Sequence, residues 1–104
     1  MKQIELQQTP SQNFSLNLND YNFEITLRDI GGAVLMDVTV DGNALANGLI
    51  VLPNQPILPY KHLTKYGNFV LICDTDSYPT WDTLGKSSVL YYMTPQEQQE
   101  IAND

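Results

Sequence analysis

The chain has 104 residues, the size of one domain with a single core. Five Lys and Arg stand against twelve Asp and Glu, a net charge of −7, which disfavours nucleic acid and anionic membrane surfaces as partners. Apolar residues make up 42% of the chain and recur along nearly its whole length, which excludes intrinsic disorder, while no apolar run approaches the roughly 20 residues of a membrane-spanning helix.

Met1 to Glu5 lacks the apolar stretch of a signal peptide, so synthesis and retention in a cytoplasm are expected. Period-2 alternation then dominates. Ile4 and Leu6 alternate with Gln3 and Glu5; Phe14, Leu16 and Leu18 with Ser15 and Asn17; Phe23, Ile25 and Leu27 with Glu24, Thr26 and Arg28; Val34, Met36, Val38 and Val40 with Asp37 and Thr39. Such runs predict strands with one wet and one dry face. Asn19-Asp20, Gly31-Gly32 and Asp41-Gly42 separate or follow them, and these residues tolerate the positive φ of tight hairpin turns. The spacing is that of an antiparallel meander.

The middle is less regular. Leu49 to Leu52 is a short apolar run ending at Pro53, and Pro56 and Pro59 predict an extended path from Pro53 to Tyr60 across the surface or a sheet edge. Phe69 to Cys73 is continuously apolar, as in a strand covered on both faces. Asp74 to Gly85 reads as a long irregular loop, Ser88 to Met93 as a last strand, and Thr94-Pro95-Gln96-Glu97 as the capped start of a short helix. The predicted fold is all-β, an antiparallel meander forming a small sandwich or partly closed barrel. Residues 1–93 are expected to form the β domain and 94–104 a short helix or tail.

No constellation for catalysis emerges. His62 is the only histidine and Cys73 the only cysteine, so a nucleophile beside a base, an internal disulfide and a cysteine-based zinc site all lack their parts. A lone loop histidine is more often a surface residue than a catalyst, and a cysteine ending an apolar strand usually acts as a small buried hydrophobe. Asp74, Asp76 and Asp82 cluster in one loop, but a calcium loop starting at Asp74 would need Gly and Glu where Pro79 and Gly85 stand; solvated carboxylates are the plainer reading. No cofactor is expected.

The loop also carries Tyr78, Pro79 and Trp81. Exposed aromatics favour the centres of protein interfaces, and the three Asp residues around them can steer a basic surface into register. Tyr78, Pro79, Trp81, Asp74, Asp76 and Asp82 are therefore the candidate partner-binding residues. A Trp folded back as a lid over the sheet is the competing reading of Trp81. Tyr60, Tyr66, Tyr91 and Tyr92 are also able to stack sugars, whereas bases would need basic residues interleaved.

Several segments carry a resemblance: the opening Ile4-Glu5-Leu6, Pro10 to Phe14, the meander from Tyr21 to Val40, Leu58-Pro59-Tyr60, Gly67-Asn68-Phe69, Pro79, Leu84-Gly85 and the closing Leu90-Tyr91. Together they resemble the baseplate plug family, small tail proteins of myophages and prophages; the residues after Met93 lie outside the match. The resemblance implies a non-enzymatic structural protein of the virion, near the tail axis among baseplate, hub and tail-tube proteins, with no catalytic residues to carry over. It leaves open a homo-oligomer around that axis. The runner-up from the residues alone is a free-standing β-barrel module that binds a peptide or carbohydrate through the Tyr78 to Trp81 loop.

Overall fold

The computed structural model describes residues 1–58, 66–74 and 78–102. Its elements are β1 (Lys2–Ile4), β2 (Ser11–Leu18), β3 (Tyr21–Asp29), β4 (Val34–Val40), β5 (Asn43–Ile50), β6 (Asn68–Cys73), a 3₁₀ turn (Trp81–Thr83), β7 (Ser88–Met93) and α1 (Pro95–Ala102). The named strands of the described residues pair antiparallel, in a four-stranded sheet ordered β2-β3-β4-β5 and a three-stranded sheet ordered β1-β7-β6. The two sheets pack as a sandwich and do not close into a barrel.

The predicted meander forms the four-stranded sheet. Asn19 and Asp20 take φ of 53° and 68°, and Asp41 and Gly42 take 50° and 85°, the left-handed pair that a two-residue hairpin turn demands. Alternation then assigns the faces. Phe23, Ile25 and Leu27 of β3 and Val34, Met36, Val38 and Val40 of β4 are buried. On the opposite face Asn13 Nδ2 donates to Thr26 Oγ1 at 2.6 Å, and Arg28 lies 3.3 Å from Asp37.

β5 is the strand that periodicity does not reveal. Its sequence, NALANGLI, is poor in large apolar residues, and it forms because the Asp41-Gly42 turn feeds it back along β4. Its pairing slips twice, between Met36 and Val38 and between Val38 and Thr39.

Across the sandwich, Phe23 of β3 meets Phe69 of β6 edge-to-face at 5.6 Å, and Tyr92 of β7 lies 5.7 Å from Phe23 and 5.5 Å from Phe69. Burial raises the Tyr92 phenol above its ordinary range; it remains a donor, bonding the Tyr66 carbonyl at 2.6 Å. The expectation that β6 is covered on both faces holds only at its start. Val70 is buried, whereas Ile72, two residues on along the same face of β6, is 42% exposed.

That segment does follow a sheet edge. Asn54 and Ile57 N–H donate to the carbonyls of Leu71 and Phe69. Fully buried Asn68 completes the attachment, its Oδ1 accepting the Leu58 N–H at 2.9 Å and its Nδ2 donating to the Leu58 carbonyl. Pro59, Tyr60 and His62 lie outside the described residues.

The helix starts where its capping residues predict. Thr94 Oγ1 accepts the Glu97 N–H at 3.2 Å and Glu97 Oε1 accepts the Thr94 N–H at 3.0 Å, a reciprocal box. The Met1 ammonium also bonds Glu97 and, with the Thr94 N–H, holds its carboxyl below the ordinary carboxylate range. This contribution is present above the unfolded-state pKa and fades as pH falls through the lower folded-state value. Thr94→Ala should cost about 1 kcal/mol in a urea melt; no measurable change would mean that α1 adds nothing to the fold.

Candidate interface at one pole of the sandwich

Antiparallel strands gather their connections at two ends, and the predicted interface loop falls at the richer one. β3 ends here at Asp29, β4 begins at Val34, β5 ends at Ile50, β6 ends at Cys73 and β7 begins at Ser88. The turn from 30 to 33, the turn at Pro53 and Asn54, and the described parts of the β6–β7 connection, Asp74 and residues 78–87, thus share one pole.

Specific bonds seat the loop. The Trp81 N–H donates to Asp29 Oδ2 at 2.9 Å, while Asp29 Oδ1 accepts the Gly31 N–H at 2.7 Å, so one carboxylate ties loop and turn together. Gln8 Nε2 donates to the Asp82 carbonyl from the segment before β2. Within the loop, Thr83 Oγ1 donates to the Thr80 carbonyl at 2.9 Å and the Thr80 hydroxyl bonds Asp82. Leu84 is buried and bridges to Ser88, anchoring the return into β7.

The predicted site residues separate on this frame. Tyr78 is 54% exposed and Trp81 38% exposed, and Trp81 stands outside the buried core cluster. Asp74 and Asp82 are exposed; Pro79 is buried and lines the cleft beside Tyr78. Asp76 lies outside the described residues. Ile30, at 58% exposure, and Ile50, at 43%, also stand on this pole. Sequence reasoning missed both, and the available signal for Ile30 was an Ile placed directly before the Gly-Gly turn.

Below Tyr78 lies a cleft of about 380 Å³, lined among others by Cys73, Asp74, Thr80, Thr83 and Ser88. Ser88 Oγ donates to Thr83 Oγ1 at 3.2 Å and lies 3.3 Å from Cys73 Sγ. Cys73 is half-buried, and its N–H donates to Asn54 Oδ1 at 2.8 Å. The cleft holds hydroxyls and a thiol without an imidazole among the described residues. No three His, Cys, Asp or Glu side chains among the described residues converge in a way that would hold a metal ion. The pole presents exposed aromatic and aliphatic side chains together with exposed carboxylates.

One protein-family model, described as cyanophage baseplate Pam3 plug gp18, matches residues 1–96. Among curated proteins, none matches the chain.

Proposed function

The chain belongs to the cyanophage baseplate Pam3 plug gp18 family, and from that premise we propose that it is a non-enzymatic plug near the tail axis, held by baseplate, hub and tail-tube neighbours. The family match over 1–96 carries this reading. The pole described above supports it: exposed Tyr78, Trp81, Ile30 and Ile50 stand at the same end of the sandwich as exposed Asp74 and Asp82. Apolar side chains of this kind fill a neighbour's pocket while the carboxylates set register against its basic residues. Synthesis in the bacterial host cytoplasm and residence in the virion follow from the same reading. The barrel-module alternative gains no support from two sheets that remain open.

Trp81→Ala tests the pole as the docking surface. Its incorporation into assembled particles should weaken by about 2 kcal/mol or more, the scale of an interface hot spot. Because Trp81 is partly exposed and outside the core cluster, the isolated domain should lose much less than the roughly 3–5 kcal/mol of a core aromatic truncation. Thermal melts and particle incorporation on the same variant separate these effects. A core-sized melting loss, or wild-type incorporation, would remove Trp81 from the interface.

A further inference from the structure

Among the described residues, the two open sheets have four edges, and three of them are closed against further pairing. β5 carries two bulges, with the Gly48 N–H turned onto Asp37 Oδ1 at 2.7 Å, which bends that edge out of line. The edge of β6 is occupied by residues 54–58 through the Asn54 and Ile57 N–H bonds and the Pro56 bridge. β1 is only three residues long, and very short edge strands are poor templates.

β2 has none of these guards. Its eight residues, Ser11–Leu18, pair with β3 in unbroken register and include no proline and no charged side chain. The two-residue turn makes Leu18 and Tyr21 a hydrogen-bonded pair, and the bond from the Asp29 N–H to the Pro10 carbonyl fixes the same parity at the far end. Even-numbered residues of β2 therefore direct their backbone groups to β3, and Ser11, Asn13, Ser15 and Asn17 direct theirs outward. The Ser11 carbonyl accepts the Thr9 hydroxyl at 3.1 Å. Among the described residues, no backbone partner meets Asn13, Ser15 or Asn17.

We propose that β2 is an acceptor edge that binds an extended segment donated by a neighbouring baseplate protein; this rests on the baseplate reading above. A row of alternating donors and acceptors is matched by another β-strand, with main-chain bonds for affinity and alternate side chains for specificity. The donated strand places apolar residues over half-buried Phe14 and Leu16, on the inner face. On the outer face it meets Asn13, Ser15 and Asn17, with exposed Glu24 on the next strand, so its residues there are neutral or basic. Charge argues against a second copy of this chain as the donor. Two chains of net charge −7 would face each other, and β2 itself brings no cation to offset them.

Amide hydrogen exchange, read in the free protein and in assembled baseplates, tests the proposal. In the free protein, Asn13, Ser15 and Asn17 should exchange at least about tenfold faster than Phe14 and Leu16. In assembled baseplates the same three should slow by about 100-fold or more. Ser15→Pro removes an outward N–H without touching the β2–β3 ladder; it should lower incorporation by about tenfold or more while Ser15→Ala assembles normally. Where Ser15→Pro fails to fold, the exchange measurement on the wild-type chain decides alone. A chain that assembles with these three amides still exchanging fast overturns the acceptor edge while leaving the baseplate reading intact. A chain absent from particles overturns both. Protected amides together with a dimer mass in the isolated protein would make a second copy the occupant and overturn the donated strand.

Discussion

Phe69→Ala is expected to lower folding stability by about 3–5 kcal/mol. Phe69 is fully buried on β6 and touches the other sheet edge-to-face through Phe23 at an interplanar angle of 87°, with Tyr92 tilted beside both. Truncation removes two ring contacts as well as apolar burial, and each ring pair adds about 0.5–1.5 kcal/mol beyond its area. Domains are stable by only about 5–15 kcal/mol in total, so this single change takes much of the margin. Urea denaturation of Phe69→Ala beside Trp81→Ala should give a large loss for the first and a small one for the second. A loss for Phe69→Ala below about 1.5 kcal/mol would mean that the aromatic cluster does not hold the sheets together.

Gly67→Ala should cost about 2–6 kcal/mol, summing backbone strain and overpacking of about 1–3 kcal/mol each. Gly67 sits at φ 113°, and a Cβ there would lie 2.5 Å from both the Met93 carbonyl oxygen and the Tyr92 hydroxyl. The carbonyl belongs to β7, and the hydroxyl is held by its bond to Tyr66, so neither retreats freely. Gly42 is the internal control. Its φ is 85°, but nothing lies within 4 Å of its Cβ position, so Gly42→Ala carries the conformational term of about 1–2 kcal/mol and no clash. Equal losses for the two variants in the same denaturation series would show that the close approach at Gly67 carries no weight.

The candidate site was legible in part. Tyr78 and Trp81 could be picked out as large aromatics in a long loop, but the residues allowed Trp81 either to face outward or to lie over the sheet, and only the folded loop leaves it partly exposed. Pro79 could not be placed the same way, since its burial depends on how the 3₁₀ turn at Trp81–Thr83 folds the loop back. Ile30 and Ile50 lie twenty residues apart in sequence and join Trp81 on one pole only after β3, β4 and β5 are paired and Asp29 has tied the loop down.

By itself, the sequence determined the local geometry: alternation set the wet and dry faces of β2, β3 and β4, Asn19-Asp20 and Asp41-Gly42 set the hairpins, and Thr94 with Glu97 set the helix start. These are short-range effects, since side-chain direction, turn φ and capping bonds depend on residues a few positions apart. Tertiary structure decided what depends on distant residues. β1 joins β7 across nearly the whole chain; β5, with little alternation of its own, became a strand because β4 offered an edge; and Ile72 stayed exposed within an otherwise apolar strand. Which edges are closed and which one stays open is decided there too, because an edge is defined by the absence of a neighbour, and neighbours are assigned only when the whole chain has packed.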